Sequence, residues 1–201
     1  MRIPLLLGAA ALASCSRYEI SPLATAARTG DTAAIRALIQ AGADPDQPSG
    51  INGWTPLMHA IHRNQRESVF ALADAGADPD AICCEGLTAL MMAAGYGQPD
   101  LVVGLLERGA DPERRNSAGH SALDAAITGA IDIDAMTAGH CQTETVRAIL
   151  GRAPGLARSL AVTTRAAAAV KACPGVQAAL DEVRKPSATI GEWLGSPRPR
   201  G

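Results

Sequence analysis

A near-fixed interval governs this chain. Thr55-Pro56-Leu57 is followed 33 residues later by Thr88-Ala89-Leu90 and after 33 more by Ser121-Ala122-Leu123, while Ser21-Pro22-Leu23 lies 34 upstream of the first. A recurrence in that range marks stacked supersecondary units, each packed on its neighbours, and not one closed core. The units share an internal grammar. Leu23 to Ile35, Leu57 to Val69 and Leu90 to Val102 are each 12 apart, and seven residues further on come Gly42-Ala43-Asp44-Pro45, Gly76-Ala77-Asp78-Pro79 and Gly109-Ala110-Asp111-Pro112. Small residues fill the first half of each unit (Ala26-Ala27, Ala60, Ala93-Ala94, Ala125-Ala126), and apolar residues return at helical spacing in the second, as in Val102, Leu105 and Leu106. Gly takes the left-handed helix cap without steric penalty, and the nearby Pro prevents continuation. Each unit therefore reads as helix, short turn, helix, Gly stop and extended loop.

This grammar resembles the ankyrin repeat. Gly-x-Thr-Pro-Leu, the alanines, Val with Leu-Leu, and Gly-Ala-Asp are matched at 53–78 and 86–111, with a partial copy at 21–44 and a modified one from 119 to about 153. The resemblance implies an all-α helix-turn-helix solenoid of about four repeats (about 21–46, 53–80, 86–113 and 119–155). A degenerate C-terminal cap repeat at 156–185 would complete one domain over 21–185. Where the family carries His after Pro-Leu, this chain has Met58, Met91 and Asp124. A content of 47% hydrophobic but 2% aromatic residues suits tightly stacked helices that bury Ala, Leu and Val. In the cap, Ala-rich 161–172 precedes a break at Pro174-Gly175 and a second helix with Val176 and Leu180. Residues 186–201, rich in Pro and Gly, read as a flexible tail.

The N-terminus carries a second signal. Met1-Arg2 precedes an apolar run from Ile3 to Ala13, too short to span a bilayer as a helix. A basic start, apolar centre and small residues describe a secretory signal over 1–14. Leu12-Ala13-Ser14-Cys15 resembles the bacterial lipobox, which implies cleavage before Cys15 and acylation of its sulfur and amine, with 16–20 as a short linker. Several acyl chains anchor stably where one alone is marginal. The competing readings are an ordinary signal peptide or an apolar cytosolic start. By the sorting rule of the enterobacterial lipoproteins that this motif resembles, Ser16 in place of Asp after the Cys implies the outer over the inner membrane, so the expected location is the bacterial envelope, lipid-anchored and facing the periplasm.

Export changes how the other four cysteines read, because an oxidising compartment permits disulfides. Cys141 and Cys173 both fall at the helix–helix turns of adjacent units, on one edge of a stack whose neighbours lie about 10 Å apart, and are expected to pair. Cys83-Cys84 sits in the loop between the second and third units, where a strained vicinal bridge and two free thiols both stay open. No second Cys pair or His lies at ligand spacing, so no metal site is expected.

The fourth unit departs from the rest. Leu123 to Val146 is 23 residues, which implies an 11-residue insertion between its helices, around Gly129–Gln142. Such insertions become surface loops and often carry specificity. Asp132 and Asp134 within it are too few to make a calcium loop. The ankyrin resemblance implies partner contacts through the loop tips and the exposed face of each first helix. That strip maps onto Trp54, His59, His62 and Arg63 in the second unit, Leu87, Met92 and Tyr96 in the third, and His120 and Thr128 in the fourth. Trp and Tyr are common interface anchors, although Trp54 and Met92 would equally pack a loop against the next unit. His59 and His62 share a helix face without a third ligand.

Residues 15–151 carry a net charge of −8 and residues 152–201 one of +5. The acidic body argues against nucleic-acid binding and suits steering toward a basic partner. No nucleophile elbow, His-Glu-x-x-His helix, phosphate loop or dinucleotide fingerprint occurs, so no catalytic residue, cofactor or enzymatic activity is expected. The reading is a monomeric protein–protein interaction scaffold, a membrane-anchored lipoprotein whose partner binds the strip and the insertion. One specific form is an immunity or accessory protein for a secreted protein. The alternative is a redox-responsive or stress-protective protein using Cys83 and Cys84.

Overall fold

The structure, a computed structural model, describes residues 19–129, 142–159 and 164–184. The recurring Thr or Ser of each motif is a helix N-cap. Ser21, Thr55, Thr88 and Ser121 hold extended backbone, and their hydroxyl oxygens accept the N–H three residues on, from Ala24 (3.1 Å), Met58 (3.3 Å), Met91 (3.2 Å) and Asp124 (3.4 Å). Each cap satisfies one of the donors a helix start leaves unpaired. Pro22 and Pro56 then occupy the first helical position, where a missing N–H costs nothing. From these caps run the first helices α1 (Pro22–Thr29), α3 (Pro56–His62), α5 (Ala89–Gly95) and α7 (Ala122–Thr128).

A left-handed residue ends the first helix or opens its turn in three units: Gly30 (φ 83°), Asn64 (φ 53°) and Gly97 (φ 66°) occupy the same register. The second helices follow as α2 (Thr32–Gln40), α4 (Arg66–Asp74), α6 (Pro99–Glu107) and α8 (Thr143–Arg152). The first three stop where Gly42, Gly76 and Gly109 turn left-handed at φ 91°, 98° and 93°. After a short α9 (Leu156–Ser159), α10 (Thr164–Ala172) and α11 (Pro174–Arg184) form a fifth helix pair.

The helices stack in two rows. The order α1–α3–α5–α7–α10 makes one row and α2–α4–α6–α8–α11 the other, each helix packed on the next. Between them lies a continuous apolar core with Leu23, Leu57, Leu90 and Leu123 repeating on one side and Ile35, Val69, Val102 and Val146 on the other. Truncating one such Leu to Ala costs about 2–5 kcal/mol in comparable cores. Every residue of α5 is buried, and a helix apolar on all sides belongs in an interior; Ala122–Ile127 of α7 are buried too, Asp124 among them.

Residues 129–142 separate α7 from α8, where 63–65 separate α3 from α4. The expected insertion therefore falls in that connection, but residues 130–141, with Asp132, Asp134 and Cys141, lie outside the described residues. So do Cys15 with the N-terminal signal and the C-terminal tail. Among the described residues, no helix is long and apolar enough to cross a membrane.

Candidate functional site

Between successive helix pairs the chain makes a narrow hairpin-like finger. Ser49 N–H donates to Trp54 O (2.9 Å), Cys83 N–H to Leu87 O (3.1 Å), and Asn116 N–H to His120 O (3.0 Å). Trp54, Leu87 and His120 thus share one register, each directly before the next N-cap. The finger tips present Ile51, Cys84 and Ala118 to solvent. Ile51 is 81% exposed, and Ile82 at the base of the next finger is 57% exposed. The turns are also bonded along the row, since Gly50 N–H donates to Glu19 O (3.1 Å) and Ser117 N–H to Glu85 O (2.8 Å).

A carboxylate ladder runs along the loops leading into the fingers. Asp46 accepts the Asp78 N–H at 3.0 and 3.1 Å, and one unit on Asp80 accepts the Asp111 N–H at 3.0 and 3.3 Å. Burial pushes the Asp46 carboxyl up, the Asp78 amide opposes this, and the charges of Asp78 and Asp44 add to it. Glutamine supplies a second lateral bond at the helix–helix turns. Gln98 Nε2 donates to Ile61 O (3.2 Å) and Gln142 Nε2 to Gly95 O (3.1 Å), each one unit back. The family model for ankyrin repeats in three copies matches residues 3–83 and 23–116. The chain belongs to the ankyrin-repeat family. No curated protein matches it.

The ankyrin stack divides the expected partner strip. Trp54 (6% exposed), His59 (6%) and Met92 (2%) are buried, which corrects their reading as an exposed surface. Met92 belongs to α5, which is apolar on all sides, and Trp54 lies against the α3 histidines. Its ring centroid is 5.5 Å from that of His59 and 5.0 Å from that of His62. His59 Nε2 contacts Ser49 O at 3.3 Å, closing the finger onto α3, and burial pulls the His59 pKa down. His62 and Tyr96 are half-buried and joined by a 2.8 Å contact between Nδ1 and the phenol oxygen. An aromatic chain therefore crosses from the second unit to the third.

The remaining strip residues stay nearer the surface. Arg63 is exposed and borders a shallow depression with Thr25, Arg28, Thr29 and Gln65. Leu87, His120 and Thr128 are half-buried, and the Thr128 hydroxyl donates back to Asp124 O at 2.8 Å. Ile51 and Ile82 escaped the sequence reading, because a single apolar residue in a polar loop is ordinary on any surface. His59 and His62 turn their nitrogens to different partners. Among the described residues no group of three or more His, Cys, Asp or Glu could hold a metal ion.

Asp124, which replaces the family's His, is buried. It forms a capping box, accepting from Ser121 N–H and from the Ser121 hydroxyl, both at 2.8 Å. Cys83 is half-buried and Cys84 exposed; both are free thiols, with their sulfurs 3.1 Å apart. Burial, followed by the Cys84 thiol beside it, pushes the Cys83 thiol up to about 12. Cys173, between α10 and α11, is disulfide-bonded. Cys141, its expected partner, lies outside the described residues.

Proposed function

We propose that this ankyrin-repeat chain is a lipid-anchored, periplasm-facing adaptor of the bacterial envelope that binds a protein through its finger row. Ankyrin repeats are generally protein–protein interaction modules and typically non-enzymatic. The observation that carries the choice of surface is the exposed pair Ile51 and Ile82, apolar side chains on neighbouring fingers. Leu87, half-buried in the same finger as Ile82, adds apolar surface there. The net charge of −8 over residues 15–151 suits a partner with a basic face. An immunity or accessory role toward a secreted protein would use this same surface.

The anchoring reading is supported by Met1-Arg2, the apolar run Ile3–Ala13 and the Leu12-Ala13-Ser14-Cys15 sequence. In an oxidising compartment Cys141 would be the partner of Cys173, tying the insertion to the cap.

Affinity capture from solubilised envelope tests the binding surface. The partner captured by the wild type should be lost with Ile51→Asp/Ile82→Asp, and undiminished capture overturns the finger-row reading. Labelled fatty acid should enter the wild type and not Cys15→Ala. No label in the wild type, with membrane fractionation unchanged in the variant, sinks the anchor.

A further inference from the structure

We propose that Cys83 and Cys84 form a reversible vicinal disulfide by exchange with low-molecular-weight disulfides, and that ring closure resets the finger between the second and third repeats. The sulfurs lie 3.1 Å apart, about 1 Å beyond the ~2.05 Å of a formed bond. The two side chains therefore already lean together over their shared peptide. A trans peptide fixes neighbouring Cα atoms at about 3.8 Å, below the ~4.4 Å at which ordinary disulfides begin. A bond closed here is strained, and strained exposed disulfides are the easily reduced, regulatory kind.

Exposure sets the order of events. Cys84 is exposed and Cys83 half-buried, so an incoming disulfide reaches Cys84 first. The Cys84 sulfur, having lost its proton, attacks one sulfur of the oxidant and expels the other as a thiolate. The Cys83 sulfur, deprotonated in turn, attacks Cys84 Sγ and expels the second thiolate. One disulfide is reduced to two thiols, the chain loses two hydrogens, and two electrons pass to the oxidant. Besides burial, the Cys84 thiol and its charge hold the Cys83 proton in place. Capping Cys84 as a mixed disulfide removes both, and the short approach supplies a high effective concentration for the second step.

Ring closure acts on bonds that shape the finger. Cys83 N–H donates to Leu87 O, Gly86 N–H to Cys83 O, and Leu87 N–H to Cys84 O at 3.1, 3.1 and 3.2 Å. Glu85, next in the chain, sits at φ 56° and accepts the Ser117 N–H of the following finger at 2.8 Å. Twisting the Cys83–Cys84 peptide into the ring thus moves the Cys83 carbonyl that holds the Gly86 N–H and strains the tie to the next finger. That this regulates partner binding rests on the finger-row reading; the sulfur chemistry does not.

The test equilibrates the purified chain with graded mixtures of reduced and oxidised glutathione, followed by peptide mapping. The expected product is an intramolecular Cys83–Cys84 bond that reopens under milder reducing conditions than the disulfide at Cys173. Only a glutathione adduct on Cys84, only a dimer, or no reaction overturns the proposal. Phenylarsine oxide, which chelates paired thiols, should protect the reduced chain from closure and fail to be retained by Cys83→Ser or Cys84→Ser; equal retention by both single variants also overturns it. Amide exchange at Gly86 and Ser117 should differ between the two states, and identical exchange refutes the coupling to the finger. Loss of capture by Ile51→Asp/Ile82→Asp leaves the sulfurs untouched, so the two readings fail separately.

Discussion

Asp46 holds the backbone N–H of Asp78 with both carboxylate oxygens, at 3.0 and 3.1 Å, across the boundary between two repeats. Asp80 does the same for Asp111 one repeat along. The stability of a stacked array is the sum of its repeats and of the interfaces between neighbours, and these ties add to the interface part. A hydrogen bond to a charged group contributes about 1.5–3 kcal/mol, and less where solvent reaches it. Asp80→Ala should therefore lower unfolding stability in urea by about 1 kcal/mol, with Asp80→Asn retaining most of the bond. Equal losses in the two variants would mean that charge, not the bond, matters at this position.

Gly104 reverses a familiar rule. It lies inside α6, where Gly→Ala normally stabilises by up to about 1 kcal/mol. Here an added Cβ would come within 2.2 Å of Phe70 Cε1. Moving the Phe70 ring away would disturb its contacts with the guanidinium groups of Arg108 (4.5 Å from the ring centroid) and Arg66 (5.3 Å). Gly104→Ala is expected to destabilise by about 1–3 kcal/mol, as other overpacked sites do. Adding Phe70→Leu should recover part of that loss in a double-mutant cycle, and strict additivity would contradict the contact.

His59 makes stability depend on pH. Burial, then the charges of Arg28 and His62, depress its pKa below the ordinary value, with the Ser49 carbonyl opposing. The folded chain then keeps His59 neutral where the unfolded chain, with a His pKa near ~6.5, takes up a proton. Its contribution is complete above about 6.5 and falls as pH drops from there through the depressed value. The melting temperature of the wild type should thus fall more between pH 7.5 and 5.5 than that of His59→Gln. Parallel curves for the two proteins would show that His59 is not the titrating group.

The stack was legible because its signals are local and repeated. The caps at Thr55, Thr88 and Ser121 and the left-handed Gly42, Gly76 and Gly109 each announce a boundary, and the period adds them in phase. Exposure was less legible. The composition of α5, Ala-Leu-Met-Met-Ala-Ala-Gly, is apolar on every side and already marks a helix covered all round; giving Met92 a solvent face went against that signal. His59 misled for the opposite reason, since a histidine reads as polar until its carbonyl partner, Ser49, is known from the folded finger. Asp124 looked like a departure from the family, yet the Ser-Ala-Leu-Asp sequence spells a capping box that its spacing alone could have revealed. Isolated Ile51 and Ile82 carry no pattern, and only their exposure in the folded fingers distinguishes them.

The two glutamine bridges should differ in strength, although they look alike. Gln98 Nε2 donates to Ile61 O, which also accepts the Asn64 N–H at 2.9 Å. Gln142 Nε2 donates to Gly95 O, which has no other hydrogen-bond donor among the described residues. Carbonyls in a last helical turn lack an intrahelical donor, and one left unsatisfied and shielded costs about 1–3 kcal/mol. Each glutamine also carries a buried Oε1 with no hydrogen-bond partner among the described residues, so the Ala substitutions remove a similar penalty at both sites. Gln142→Ala should consequently lower the urea midpoint more than Gln98→Ala, at an unchanged slope and by a difference of about 1 kcal/mol. If Gln98→Ala proves the more damaging, the bridges act through side-chain packing in the turn and not through the carbonyls they reach.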